Sequence, residues 1–385
     1  MGLILEYEGK ELFRKYGIPL NKFHIARSLD EAKNAGNEIG YPVVVKAQVL
    51  SGGRGKKGWI RLAKNSEELQ QMYTAISTST REAYGRDFPM LIEKAANIKQ
   101  EFFISMLVDS NTLETVILFS TEGGIDIETL AKEKPAAIER FRIPYGTEVF
   151  PYHFMEGLGR RSLKGKIKLG VATIISILVE MMRKEDLQLA EINPLIITKE
   201  DDLAALDSRI FVDDDATYRH PERENYLSQA LRYTKQEKEA KENGLSYVDL
   251  GGDIGTLSTG AGMGMTTADL IETFSNKKFY PRNFLDVGGG ASPDKVEQAL
   301  RIMTEVKGLK AIFINAFGGI TRLDDVAKGI VEARRKYNIT IPMVIRLTGT
   351  NQKEGLEILK SIGLEAFEDM EPAIQKVIQL ASGAV

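Results

Sequence analysis

Apolar residues recur at helical spacing in Leu5, Leu12, Phe13 and Tyr16, and Gly17 and Pro19 break the pattern, so a first helix is predicted up to that point. Ser28-Leu29-Asp30-Glu31 reads as a capping box: the serine caps the helix start while Glu31 reaches back. Ala32, Ala35 and Ile39 give that second helix its apolar side, and Gly40 ends it. Residues 42–49 (PVVVKAQV) read as a strand, followed by the glycine-rich turn 51–58 and a short strand over 59–62. Residues 90–93 read as a further strand. Residues 101–108 and 113–119 flank the turn signal Asp109-Ser110-Asn111 and predict a hairpin. Residues 187–197 and 203–206 flank the polar turn 199–202 and predict a second one. The longest apolar run, 169–182, is shorter than the roughly 20 residues that cross a bilayer and reads as a buried helix.

The stretch 234–243 (TKQEKEAKEN) has almost no apolar residue and reads as a linker rather than a solvated helix. Beyond it the pattern changes. Short apolar strands at 254–258, 284–287 and 311–315 each run into glycines and then a helix, and 341–347 adds another strand. Ser292 reads as an N-cap with Pro293 as the first helical residue, and Val296, Ala299, Leu300 and Met303 continue a helical stripe. Repeated strand–loop–helix units imply a parallel sheet with helices on both faces, and ligands of such sheets bind at the carboxyl ends of the strands.

Composition narrows the function classes. A chain of 385 residues implies two or three domains. With 51 Lys+Arg against 54 Asp+Glu, the net charge of −3 argues against nucleic-acid binding. The absence of cysteine excludes disulfides, thiolate metal sites and a cysteine nucleophile in this chain. No membrane segment or targeting signal is visible, so a cytoplasmic location is expected.

Four groups of residues suggest chemistry. Lys46 interrupts an apolar strand, so it either meets an anion such as a nucleotide phosphate or lies on an edge strand facing water. The Gly52-Gly53-Arg54-Gly55-Lys56 run directly after that strand suits phosphate, through close backbone amides and two cations, and equally suits a basic hairpin turn. It is not a Walker A loop. If the 199–202 turn closes a hairpin, Asn193 and Asp207 come within about one residue of facing each other. An amide oxygen and a carboxylate there suit Mg²⁺, or form a cross-strand polar pair without metal. Gly318-Gly319-Ile320-Thr321, near Asp324, offers helix amides to a carboxylate or phosphate, or is a plain tight turn. The histidines, His24, His153 and His220, stand in no catalytic motif and are expected at the surface or in structural roles.

In this order the motifs closely resemble the β subunits of succinyl-CoA synthetases (succinate–CoA ligases), nearly end to end. The resemblance is carried by Leu5-Glu6-Tyr7, Lys10, Leu12-Phe13 and Tyr16-Gly17-Ile18-Pro19, then by Val44-Val45-Lys46-Ala47-Gln48 with its glycine-rich loop. It continues in Ser120-Thr121-Glu122-Gly123-Gly124, Glu191-Ile192-Asn193-Pro194-Leu195, Phe284-Leu285-Asp286-Val287-Gly288-Gly289-Gly290-Ala291 and Asn315-Ala316-Phe317-Gly318-Gly319-Ile320. It implies an ATP-grasp domain over 1–233, a linker over 234–244 and a flavodoxin-like CoA-ligase domain over 245–385.

The resemblance also implies a partner α subunit, in a heterodimer or heterotetramer, that carries the phosphorylated histidine and binds most of the CoA. The reaction implied is acid + CoA + NTP to acyl-CoA, NDP and phosphate, with Mg²⁺, through acyl phosphate and phosphohistidine. By the family's motifs, Lys46, Gly53, Arg54, Gly55, Glu93, Ala96 and Glu101 line the nucleotide site, and Asn193 and Asp207 hold Mg²⁺. Glu191 positions the phosphohistidine loop, and Thr259, Gly319, Ile320 and Thr321 belong to the acid site. No histidine here matches the phosphorylated one, so the chain alone is expected to fall short by ~10²-fold or more.

Three residues depart from the family pattern. Thr259 replaces the usual asparagine, which leaves malate–CoA ligase and citryl-CoA synthetase large subunits as alternatives to a succinate enzyme. Asn21 leaves ATP and GTP open, and Arg209 stands where lysine is commoner. An ATP-grasp carboxylate–amine ligase or carboxylase subunit and a non-catalytic nucleotide-binding subunit are the remaining readings. The C-terminal repeats argue against the first, and the joint presence of Lys46, Arg54, Asn193 and Asp207 argues against the second.

Overall fold

A computed structural model describes residues 2–124 and 127–383 and divides the chain into two compact units, Met1–Arg232 and Tyr233–Val385. The N-terminal unit holds two sheets. The smaller runs Phe23–Ala26, Met90–Lys94, Val43–Ala47, Ile60–Ala63 in spatial order, all antiparallel. Alternate residues Val43, Val45 and Ala47 enter a core shared with Ala32 and Ala35 of the helix Leu29–Ile39 and Leu69 and Ile76 of the helix Ser66–Tyr84. Ser28 caps the first of these helices by accepting from the Glu31 amide at 3.2 Å, whereas the Glu31 carboxylate accepts from the Arg27 amide at 2.7 Å, one residue before the one anticipated.

The larger sheet runs Gly2–Leu3, Arg209–Val212, Leu187–Thr198, Ile98–Asp109, Glu114–Ser120, Ile138–Pro144, with Leu203–Ala205 pairing beside Leu187–Thr198. Both anticipated hairpins are therefore present. The apolar run 169–182 lies in the helix Gly165–Lys184, whose Val171, Ile175, Leu178 and Met182 pack into the main core with Phe102, Ile104, Ile192 and Leu195. No described helix is long and apolar enough to cross a membrane.

Residues 234–244 are not an extended linker. They hold the helix Lys235–Glu242, begun by a capping box in which Thr234 accepts from the Glu237 amide at 3.1 Å and Glu237 accepts from the Thr234 amide at 2.7 Å. One buried residue, Ala240, is enough to seat it beside Leu245 and Tyr247. The ion pair Arg301–Glu239 adds a tie at the helix surface. The helix lies within the C-terminal unit.

The sheet of that unit runs Ser246–Asp249, Asn283–Asp286, Ile254–Ser258, Ala311–Gly318, Met343–Gly349, Ala366–Phe367. All pairings are parallel except the first, an antiparallel edge. Without that edge, the strand order is the flavodoxin-like 2-1-3-4-5. Ile312 and Ile314 point into one core with Val296, Leu300, Val326 and Ile330, while Ala311 and Phe313 point into the other with Ile271, Ile374 and Val377. Helices therefore cover both faces.

Candidate functional site

A charged cluster is buried in the N-terminal unit, beneath a cavity of about 770 Å³. Lys46 lies in Val43–Ala47, which pairs on both sides, so the edge-strand reading fails. Its Nζ donates to Glu6 Oε1 at 2.9 Å and to the Leu206 carbonyl at 2.6 Å, and lies 2.7 Å from Glu93 Oε2. Glu93 reaches it from the neighbouring strand Met90–Lys94, and Glu6 from the first turn of the helix Glu6–Lys15. Lys10, one turn further along that helix and wholly buried, pairs with Glu93 and lies 3.2 Å from Glu6.

The glycine-rich turn brings in a third cation. Arg54 donates to Glu6 Oε2 at 2.5 Å through Nη1, and to Asp207 Oδ1 and Oδ2 at 3.0 and 3.2 Å through Nη2. Three cations, Lys10, Lys46 and Arg54, thus face three carboxylates, Glu6, Glu93 and Asp207. A buried cluster of this kind is tolerable only when each charge is paired and hydrogen-bonded.

The electrostatics follow from this packing. Burial alone would raise the Glu6 carboxyl, but Lys46, Arg54 and Lys10 together hold it well below the usual range. Burial works against the charged forms of Lys46 and Arg54, and their carboxylate partners more than restore them. For Lys10 burial wins, helped by repulsion from Lys46, and its ammonium is pushed down. Burial also pushes the Asp207 carboxyl up, with the Glu6 charge adding to the effect against Arg54 and Lys46.

Asn193 and Asp207 meet as the hairpin predicts. Ala205 faces Leu195, and beyond the gap Arg209 faces Glu191, so one register runs through and puts Asp207 opposite Asn193. The Asn193 side-chain oxygen accepts from the Gly124 amide at 2.8 Å, and Asp207 Oδ1 accepts from the Ser208 amide at 2.8 Å. A carboxylate offers about four acceptor sites, and Asp207 spends three on Arg54 and the Ser208 amide. Two hard oxygen donors facing a polar cavity fit Mg²⁺, which takes few protein ligands and keeps water or phosphate oxygens.

Lys46, Gly53, Arg54, Gly55, Glu93, Ala96, Glu191, Asn193 and Asp207 all line this cavity. Glu101 is not on its described wall; its carboxylate lies against Gly124, where a Cβ would strike it. The sequence reading missed Glu6 and the Leu206 carbonyl on the wall, and Lys10 behind it. A lysine inside an amphipathic helix carries no signal of its own; only the cavity-side partners distinguish it.

None of the histidines lies on the described wall. His24 is 3.1 Å from Glu38, His153 packs on its own turn at Phe150, and His220 is 2.8 Å from Asp186. Glu185, His220 and Glu222 lie close enough to suggest a metal site, but Glu185 is already taken by Lys15, Tyr16 and Arg223. Asn21 donates its side-chain amide to the Lys94 carbonyl at 2.9 Å.

The remaining predicted residues gather in the C-terminal unit, where strands Ile254–Ser258 and Ala311–Gly318 end and their connections leave in opposite directions. This is the topological switch point. Thr259 Oγ1 accepts from the Phe317 amide at 3.0 Å and donates to the Phe317 carbonyl at 3.1 Å. Thr321, buried, accepts from the Gly290 amide at 2.9 Å, which ties two glycine loops together. Gly319 and Ile320 face outward, Ile320 at 88% exposure.

Comparison with known proteins extends over the whole chain. The ATP-grasp domain family matches residues 3–197, and the CoA-ligase family matches residues 257–379. The chain is 41% identical to the β subunit of the ADP-forming succinate–CoA ligase of Hydrogenobaculum sp., covering 98% of this chain and 99% of that one. It is 40% identical to the corresponding subunit of Ignicoccus hospitalis, covering 99% and 100%. Among solved structures, the ATP citrate lyase of Methanothrix soehngenii superposes with a TM-score of 0.71 over 99% of each chain; at 19% identity this likeness speaks to fold alone.

Proposed function

Because the chain belongs to the succinate–CoA ligase β-subunit family, we propose that it grips a magnesium-bound ATP in its N-terminal cavity and helps a partner α subunit drive acyl-CoA formation. The reaction is succinate + CoA + ATP ⇌ succinyl-CoA + ADP + phosphate. The observation that carries this reading is the convergence of Lys46, Arg54, Asn193 and Asp207 on one cavity.

Phosphoryl transfer demands positioning and charge neutralisation more than covalent chemistry from the protein. Lys46, held rigidly by Glu6, Glu93 and the Leu206 carbonyl, presents a fixed positive charge to the phosphates. Arg54 adds a second from a turn whose backbone can approach closely, Gly53 having φ +71°. Asn193 and Asp207 hold Mg²⁺, which neutralises phosphate oxygens when bound. Glu191, on the wall of the same cavity, positions the incoming phosphohistidine loop. The phosphoryl relay and most of the CoA fall to the partner subunit that the β-subunit names of the relatives imply. Gly319, Ile320 and Thr321 meet the acid.

The test is co-expression with the partner subunit and measurement of ADP release dependent on both CoA and acid. Thr259 spends its hydroxyl on the Phe317 backbone, so the acid panel includes malate and citrate beside succinate. Fastest turnover with succinate supports the reading. Succinate no faster than malate or citrate removes the substrate assignment, and untouched ATP with every acid removes the ligase assignment.

A further inference from the structure

The acid-site residues Thr259, Gly319, Ile320 and Thr321 bring no charge of their own, yet a small dicarboxylic acid arrives at neutral pH as a dianion. Two arginines are close to them in the fold. Arg322, next in sequence, donates to both Asp324 oxygens at 3.3 Å and lies 3.7 Å from Asp325, so its charge is cancelled in place. Arg346 is different. It lies on the strand Met343–Gly349, directly opposite Asn315 of the strand Ala311–Gly318. Its Nε donates to the Glu368 carbonyl at 2.8 Å and its Nη1 to the Asn315 side-chain oxygen at 3.3 Å, both neutral acceptors. No described carboxylate lies at ion-pair distance from it. Partial burial pushes the guanidinium below its ordinary value, against the pull of the more distant Asp369.

The guanidinium lies beside the acid-site residues. Its centre is 6.0 Å from the ring of Phe317, and the Phe317 backbone holds Thr259. Its Nη1 is also 3.9 Å from Met263 Sδ, in the first turn of the helix Ala261–Phe274 that follows Thr259 and Gly260. Asn315, wholly buried, is fixed in turn: its amide donates to Thr267 Oγ1 of that helix at 2.8 Å, and Thr267 donates to the Met263 carbonyl at 2.8 Å. We propose that Arg346 supplies the positive charge that draws a dicarboxylate to the acid site. The inference rests on the reading that places the acid at these strand ends. A half-buried charge is screened less than a surface one, so it acts on an anion that it does not touch. Asn315 and the Glu368 carbonyl hold the guanidinium without neutralising it, as a carboxylate in either place would. Arg346 is thus a specificity-determining residue, acting from behind a surface built of backbone.

The experiment measures KM for succinate, with KM for ATP beside it, in the enzyme co-expressed with its partner subunit. Arg346→Gln keeps an amide donor but loses the charge, and raises KM for succinate by about tenfold with kcat within about threefold of the wild type. Arg346→Lys keeps the charge and holds KM within about threefold. Asn315→Asp cancels the charge from the neighbouring strand and raises KM as Arg346→Gln does; it carries the test where Arg346→Gln does not fold. KM for ATP stays within about twofold in all three, because the charge acts on the acid alone. Equal effects of Arg346→Gln and Arg346→Lys, a wild-type KM in Asn315→Asp, or KM for succinate and for ATP rising together as a loss of structure would make them, overturns the proposal. Thr259→Val separates it from the reading beneath. Where Thr259→Val raises KM for succinate and Arg346→Gln does not, the proposal alone falls; where neither does, the placement of the acid falls with it.

Discussion

The N-terminal cavity is built from side-chain charge, whereas the strand ends of the C-terminal unit are built from backbone. Lys46, Arg54, Glu6 and Asp207 line the first and hold one another in place. At the second, the threonines 259 and 321 use their hydroxyls on main-chain groups of Phe317 and Gly290, and glycines shape the rest. Gly349, at φ +128°, lies so close to the Gly318 carbonyl that no Cβ fits between them. A charge-built site depends on the identity of a few side chains. A backbone-built site depends on the path of the chain and is blind to most side-chain chemistry.

The strongest challenge to this contrast is Lys10→Met. It leaves Glu6 and Glu93 short of a buried partner, and a loss of about 3–5 kcal/mol is expected for the N-terminal unit in denaturant unfolding. Next is Lys46→Met, for which kcat/KM for ATP in the assembled enzyme falls by about 10²- to 10³-fold, the size seen when one preorganised charge-stabilising donor is removed. In the C-terminal unit, Thr321→Val removes the acceptor of the Gly290 amide and costs about 1–3 kcal/mol, with ADP affinity unchanged. If ADP affinity moves with it, the division between the two sites is wrong.

The smallest effect is the pH dependence. Glu6 has a folded-state value held well below 4.5, so its contribution to stability is present above that pH and is lost as acid titrates it downward. Asp207, pushed upward, opposes this over the range just above 3.8. A shallow net decline of the N-terminal melting temperature below about pH 4.5 is therefore expected, and Glu6→Gln flattens it.

Residues that act through local pattern were readable from the sequence. Asn193 and Asp207 could be placed opposite each other because a short polar turn fixes a hairpin and counting carries the register across it. Ser292 and Pro293 announced their helix by capping rules alone. Glu6 could not be read this way. It looks like an ordinary acidic residue in the first turn of an amphipathic helix, and only tertiary packing brings it to Lys46, 40 positions away. Segment 234–244 misled for the opposite reason. Its lack of apolar residues suggested a linker, although Thr234 and Glu237 spelled out a capping box and a single alanine sufficed to seat the helix.

The unbroken ladder phase between Ala205–Leu195 and Arg209–Glu191 also limits how this chain can vary in length. Insertions in the 199–202 turn lie outside the ladder and leave Asn193 and Asp207 where they are. A single codon gained or lost between 206 and 208, or between 192 and 194, would turn one of the two to the opposite face of the sheet and separate the pair. The spacing of those few positions is a ruler that substitution can rewrite but indels cannot.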